Sequence, residues 1–402
     1  MGARKPLKII IIVLIILITN FITFFAARYL PVLTGNAVVI QSKDSEQYNN
    51  IKKILYLENQ LQSNSLYNVS DEDLWNGAFK GLVSAVGDDY SEYLTEEEYD
   101  AYQQNNIESF YGIGVTFQND ENNNILVVKV NKDGPAYNAG IKIGDIVTKA
   151  DDTDLRGMST SEAVNYIRGE KNTSVRIEFE RDGEIYSEDI QRAEIKTVIV
   201  THEMLENKIG YVHIYEIHEN SYEHFKKAVK DLQSQGMKGL ILDVRQNGGG
   251  SVDQALKIAD DMLGKGEIMY TLDNNGEKEI SYSDKFKLDI PVVALIDEYS
   301  ASASEIIVGA LQDNDAAEVV GKKSFGKGII QLLVPLDDGS MYKHTIMEYF
   351  LPSSQKIHKI GLIPDYEVEK GEKHEFSLIE DIPHEEDAQL MKAIERLEQL
   401  IK

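Results

Sequence analysis

No cysteine occurs among the 402 residues. That absence excludes a disulfide framework, a cysteine nucleophile, a thiolate metal site and a lipid-modified N-terminal cysteine. Basic residues are scarce beside acidic ones: 41 Lys and Arg stand against 67 Asp and Glu, a net charge of -26. A charge of that sign repels phosphate backbones, so nucleic acid is not expected as a partner. The eight histidines are scattered, and "HEMLE" at His202 to Glu206 lacks the second histidine of H-E-x-x-H, so no metal site and no cofactor is expected. The length allows two or three domains with substantial cores.

One long apolar run is present. Arg4, Lys5 and Lys8 precede "IIIIVLIILITNFITFFAA", Ile9 to Ala27, which is about as long as a membrane-crossing helix needs to be. The basic flank predicts a cytoplasmic N-terminus and an extracytoplasmic bulk. Phe24 and Phe25 stand where a cleavage site wants a small residue, so an uncleaved anchor is favoured over a signal peptide. The chain is therefore expected at the cell membrane of a bacterial-type cell, single-pass, with its catalytic part outside.

Beyond the anchor, Ile51, Ile54, Leu55 and Leu61 recur at helical spacing, and so do Leu74, Phe79, Leu82 and Val86. Ser70 to Asp73 make an acidic start for the second of these helices. From about Tyr111 short strands and glycine turns take over. "YGIGVTF", "GPAYNAG" and "IKIGDIV" together resemble a PDZ domain. The resemblance implies that a peptide C-terminus adds beside a strand at Ile113 to Phe117, its carboxylate held near Gly112, Ile113, Gly114 and Val115, against a helix at Ser159 to Ile167. Alone, a G-x-G marks only a tight turn.

After Ala193 buried strands alternate with amphipathic helices. "KIGYVHIYEI", "KGLILDVRQN", "IPVVALIDE", "AAEVVG" and "GIIQLLVPL" read as strands, with helices at "SYEHFKKAVKDLQSQG", "SVDQALKIADDML" and "SASASEIIVGALQD". This is an α/β pattern, a sheet covered by helices with function at the strand ends.

Three chemical readings compete for "GKKSFGKGIIQ", Gly321 to Gln331. A phosphate loop fails because Gly328 replaces the Ser/Thr hydroxyl and a strand follows where a helix should. An S-x-x-K pair of Ser324 and Lys327 needs a helical turn that three glycines crowd. The third reading pairs Lys327 with a serine of "EYSASASEIIVGALQD", where Ser300, Ser302 and Ser304 sit between a buried strand and a helix start. There a hydroxyl could attack beside free N–H groups, although each serine could equally be a helix cap.

The set "DVRQNGGG", "SASASEI", "GKKSFGKGIIQ" and "GLIPD", behind a PDZ domain and an anchor, resembles the carboxy-terminal processing peptidases. That resemblance implies a crotonase-like α/β protease core with an inserted or preceding PDZ domain, a helical N-terminal region and one N-terminal transmembrane helix. It implies a serine endopeptidase with Ser302 as nucleophile, Lys327 as general base and Gln331 holding the lysine. Glu305 takes a supporting role, Gly249 and Ala303 are oxyanion donors, and the enzyme is a homodimer. The choice among Gly248, Gly249 and Gly250 stays open, since Gly248 stands where the family often has proline or serine. The dyad is also chemically coherent by itself. With no histidine in these motifs a lysine must act neutral, and burial lowers its pKa; Phe325, Ile329 and Ile330 are the expected dry surroundings.

The expected divisions are a cytoplasmic N-terminus (1–8), an anchor (9–30), a helical region (31–100), a PDZ domain (101–190), a peptidase core (191–375) and a C-terminal helical segment (376–402). The partners expected are protein substrates bound by their C-termini. The alternative is a non-catalytic PDZ scaffold on a peptidase-like core.

Overall fold

A computed structural model describes residues 18–21, 23, 45–105, 109–120, 122–132, 134–196, 198–284, 287–374 and 377–402. The expected anchor at 9–30 lies outside the described residues except for 18–21 and 23. Among the described residues no helix is long and apolar enough to cross a membrane. The chain forms two compact units, residues 1–79 and 80–402.

The N-terminal periodicities become the helices Ser45–Asn64 and Asp71–Ser84. The second begins as its composition predicts: Ser70 Oγ accepts the Asp73 N–H (3.0 Å), and Asp71, Glu72 and Asp73 occupy the positive end of the helix dipole.

Within the larger unit, the PDZ-like stretch folds around its own apolar core, which includes Ile125, Val127, Val147, Leu155, Val175 and Ile177. Its strands run in the order Val115–Asn119, Ile125–Val130, Ile146–Ala150, Ser174–Arg181, Glu184–Gln191. The first strand starts two residues later than the sequence suggests. Ile113 is buried and its carbonyl accepts the Ala136 N–H (2.8 Å), while the Gly114 carbonyl accepts from Asn131 N–H (2.9 Å), so these residues form a loop instead. Val115–Asn119 is the terminal strand of that sheet, leaving one edge without a strand partner among the described residues. The helix Thr160–Ile167 is set by a capping box in which Glu162 N–H donates to Ser159 Oγ (3.3 Å) and Ser159 N–H donates to Glu162 Oε2 (2.8 Å).

The rest of the unit is built on two sheets. One has the order Val200–Met204, Ile209–Ile214, Gly239–Asp243, Val292–Ile296, Glu318–Gly321, Tyr366–Glu367, and all its pairings but the first are parallel. Its three central strands, Ile209–Ile214, Gly239–Asp243 and Val292–Ile296, are buried along their whole length because both faces are covered. Helices Ser221–Ser234, Val252–Met262 and Ala303–Asp313 bury Phe225, Leu232, Ile258, Ala259, Ile306 and Ile307 on one side. The C-terminal helix Ala388–Ile401 buries Leu390, Ala393 and Leu397 on the other.

The second sheet is antiparallel, with the long strand Met341–Phe350 between Ile329–Pro335 on one edge and Glu92–Leu94 and Gly266–Asp273 on the other. The hairpin Gly266–Asp273 with Lys278–Ser283, and the strand Met341–Phe350, are elements the sequence reading did not name.

Candidate active site

Four neighbouring parallel strands end at Ile214, Asp243, Ile296 and Gly321. The chain leaving each carries, in turn, Ile217, the glycines 248–250, Ser302 and Lys327. Convergence at the carboxyl ends of parallel strands is where open α/β sheets hold their ligands. A cleft of about 670 Å³ lies there, lined by Gly248, Gly249, Gly250, Ser302, Lys327 and Gln331 among others.

The structure separates the three serines. Ser300 is fully buried; its Oγ donates to the Val244 carbonyl (2.8 Å) and accepts the Asp297 N–H (2.9 Å). Ser304, also fully buried, donates to the Asn247 carbonyl (3.1 Å). Of the three serines Ser302 alone reaches the cleft, and with Glu305 it forms the capping box of the helix that follows. Its backbone sits at φ 55, ψ -115, immediately before the helix Ala303–Asp313. A non-glycine residue in that region is disfavoured by about 1–3 kcal/mol, so the contacts around this strand-to-helix turn hold Ser302 in place.

Glu305 holds this turn to the lysine loop. It has no solvent exposure, and its carboxylate accepts four hydrogen bonds. Oε2 accepts the Ser302 N–H (2.7 Å) and the Lys327 N–H (2.9 Å), while Oε1 accepts the Gly326 N–H (2.8 Å) and the Ser324 hydroxyl. Burial raises the pKa of this carboxyl above the usual range, and the four donors offset only part of that rise. Three of them are backbone N–H groups that can only donate, so the site is built for the ionised form. Ser324 also accepts the Leu362 N–H (2.6 Å), which commits its oxygen to structure and removes it as a nucleophile.

Lys327 is aimed at the same cleft. Its flanking glycines are required by contact: a Cβ on Gly328 would stand 2.3 Å from the His358 nitrogen. Burial lowers the Lys327 pKa below the ordinary lysine value, the nearby Lys343 ammonium lowers it further, and Glu92 opposes both. Its Nζ lies 4.7 Å from the centre of the Tyr90 ring and makes no hydrogen bond with Ser302 or Gln331. Tyr90 is positioned by a tight turn in which Asp88 Oδ1 accepts the Tyr90 and Ser91 N–H groups (both 2.8 Å), and Ser91 Oγ accepts the Thr345 N–H (3.2 Å).

Three expected contacts differ in the structure. Phe325 is 56% exposed and does not dry the lysine; Ile329 and Ile330 line the cleft beside it as expected, and Tyr90 covers it as well. Gly249 fits tightly, since a Cβ there would lie 2.6 Å from the Ala301 carbonyl and 2.8 Å from Ser302 Cβ. Its N–H, however, donates to Asn247 Oδ1 (2.9 Å), so it is not a vacant oxyanion donor. Among the described residues the N–H groups of Gly248, Gly250 and Ala303 have no hydrogen-bond partner. Gln331 lines the cleft, but its amide reaches Thr345 Oγ1 (3.5 Å) rather than the lysine.

Sequence reasoning missed Asn247, Asp297, Tyr349 and Tyr90. Asn247 is fully buried, donating to the Ile214 carbonyl (2.7 Å) and accepting the Ala301 N–H (3.0 Å) at its own carbonyl. Tyr349 donates to the Ser302 carbonyl (3.1 Å). An asparagine before a glycine run after a buried strand was a usable signal for Asn247; the others depend on distant chain.

Residues 208–368 match peptidase family S41, and residues 112–191 match a PDZ domain. Fold and cleft thus define a serine peptidase carrying a PDZ module. The chain is 32% identical over 372 residues to the carboxy-terminal processing protease CtpA of Bacillus subtilis (strain 168), an alignment covering 91% of this chain and 78% of that protein. It is 33% identical over 380 residues to a CtpA-like serine protease of Staphylococcus epidermidis (strain ATCC 12228 / FDA PCI 1200), covering 93% and 75%. The chain belongs to the carboxy-terminal processing peptidase family, whose members are serine-type peptidases. Among solved structures it resembles a photosystem II D1 C-terminal processing protease (TM-score 0.50, 24% identity, 81% of this chain and 94% of that one). It also resembles a Bacteroides fragilis NCTC 9343 protein described as an S41 protease (TM-score 0.53, 15% identity, 86% and 97%). At these identities the likeness is one of fold.

Proposed function

We propose that the protein is a membrane-anchored endopeptidase that captures protein C-termini on its PDZ domain and cleaves them with a Ser302/Lys327 dyad. The observation that carries this reading is the separation of the serines: of Ser300, Ser302 and Ser304, Ser302 alone stands in the cleft, which also holds a lysine of lowered pKa.

In the proposed reaction, neutral Lys327 takes the Ser302 Oγ proton as Oγ attacks the scissile carbonyl. The oxyanion accepts from Ala303 N–H and from Gly248 or Gly250 N–H, near the positive end of the helix Ala303–Asp313. The Lys327 ammonium then protonates the departing amine, leaving an acyl-enzyme that water hydrolyses by the same proton route. Lys327 must swing from Tyr90 to reach Ser302, and Gln331 offers its amide carbonyl to the lysine on that path. The free edge of Val115–Asn119 beside Thr160–Ile167 supports strand addition of a peptide, with its carboxylate at the Gly112 to Val115 turn.

The run at 9–30 is proposed as an uncleaved anchor with the catalytic unit outside the cell. The exposed Ile54, Leu55, Leu57 and Leu61 on Ser45–Asn64 support a homodimer. The experiment is covalent labelling with a fluorophosphonate followed by peptide mapping. An adduct on Ser302, absent in Ser302→Ala, is expected; folded protein that neither labels nor cleaves a peptide with an apolar C-terminus would point to the scaffold instead.

A further inference from the structure

The glycine loop has a second anchor that the proposed reaction does not use. Gln246 precedes Asn247 in the left-handed backbone region, at φ 58. Side chains are disfavoured there unless their surroundings hold them. The Gln246 N–H donates to Asp297 Oδ1 (2.9 Å), the oxygen that also accepts the Tyr299 and Ser300 N–H groups (3.1 Å each). The side chain reaches in another direction: Nε2 donates to the Ser377 carbonyl (3.2 Å), and Oε1 accepts the Ile379 N–H (3.1 Å). One amide therefore satisfies two backbone groups of a single strap.

That strap runs on to the PDZ domain. Glu380 is ion-paired with Lys129 on the strand Ile125–Val130. Leu378, Glu380 and Asp381 form one wall of a cavity of about 890 Å³ that Gly114 and Val115 also line. In the other direction the coupling is shorter still, because Asn247 Oδ1 holds the Gly249 N–H and the Asn247 carbonyl holds the Ala301 N–H beside the nucleophile.

We propose that Gln246 is a positioning residue, locking the loop Asn247–Gly250 to the strap 377–381, and that this strap is the element through which the PDZ domain's placement bears on the oxyanion donors. The inference rests on the assignment of Ser302 and its neighbouring N–H groups made above. Moving the strap turns the peptide units around Gln246, and with them the N–H groups of Gly248 and Gly250. Such donors act only within a narrow distance of the developing oxyanion, so the effect falls on the transition state rather than on substrate binding.

The test uses the full chain and a fluorogenic peptide with a free apolar C-terminus. Gln246→Leu keeps the side-chain bulk but removes both strap bonds; Gln246→Gly also removes them while relieving the positive φ, so it is not expected to unfold. Both should lower kcat by about 10- to 100-fold, somewhat less than outright loss of an oxyanion donor, with KM changed less than about three-fold and fluorophosphonate capture slowed in parallel. Lys129→Met should lower kcat more modestly, and combining it with Gln246→Leu should cost no more than Gln246→Leu alone, since both act through the strap. A Gln246→Gly enzyme with wild-type kcat, or one altered only in KM, would overturn the positioning role, and additive losses in the double variant would overturn the link to the PDZ domain. Failure of the wild-type enzyme to label at Ser302 would instead overturn the nucleophile assignment itself.

Discussion

Replacing Glu305 by glutamine is the sharpest structural perturbation the site offers, because it keeps shape and removes one charge and one acceptor. The carboxylate receives three backbone N–H groups and one hydroxyl. An amide has a single acceptor oxygen, so its NH2 group must face at least one backbone N–H. Leaving a buried donor unsatisfied costs about 1–3 kcal/mol, and the two bonds kept by the amide oxygen fall from charge-assisted to neutral strength at about 1 kcal/mol each. Release of a carboxylate that burial disfavours offsets part of this. The net loss is roughly 2–3 kcal/mol, or about 4–10 °C in Tm for a domain this large. Because the lost partners include the clamp between Ser302 and Lys327, kcat should fall by at least about ten-fold. Thermal unfolding by circular dichroism and steady-state peptide cleavage read the two effects. A Glu305→Gln enzyme with a Tm within about 1 °C of wild type and full kcat would refute the clamp.

The rate should rise with pH through one midpoint below the ordinary lysine value of 10.5 and then level, because burial and Lys343 favour the neutral Lys327 amine. Lys343→Met removes the repelling ammonium and should move that midpoint upward; an unchanged or lower midpoint would contradict the assigned cause. Arg245→Met should cost about 3–5 kcal/mol or abolish folding, since it strands the buried Asp243 and Asp387 carboxylates that Arg245 bridges (2.6 and 2.8 Å), and urea titration measures it. Burial pushes Asp243 up but Arg245 outweighs it, leaving its pKa below the usual 3.8. The stability this pair supplies is therefore present above pH 3.8 and lost as pH falls through the folded value in wild type, a loss seen as acid unfolding. For the PDZ domain, an amidated C-terminus should bind at least about ten-fold more weakly than the free acid in isothermal titration, having lost the charge-assisted bonds; equal affinities would exclude carboxylate capture.

Much of this site was legible in the residues because its requirements are local. The alternation of buried strands and helices gave the parallel sheet, and the loops at its strand ends had to carry the chemistry. "FGKG" signalled a close backbone approach, and the Cβ that Gly328 lacks would indeed collide with the His358 nitrogen. Spacing could not separate Ser300, Ser302 and Ser304, because the separation is made by Val244 and Asn247, some 55 residues away in sequence. Phe325 was misjudged for the same kind of reason: an apolar neighbour in sequence points away, while Tyr90, from a turn far upstream, covers the lysine. Nor did the glycine run reveal that Asn247 occupies the Gly249 N–H. Local patterns report backbone demands, whereas partners brought from distant chain leave no trace in the pattern.

The central claim is that Lys327 acts as a base and not as a fixed cation, and Lys327→Arg tests it most directly. Arginine keeps the charge and the reach but does not lose its proton at any working pH. The account predicts that Lys327→Arg, folded and still able to bind substrate peptide, cleaves no faster than Ser302→Ala at any pH between about 6 and 10. An arginine enzyme that retained a sizeable fraction of wild-type kcat would show that another group takes the Ser302 proton and would contradict the account.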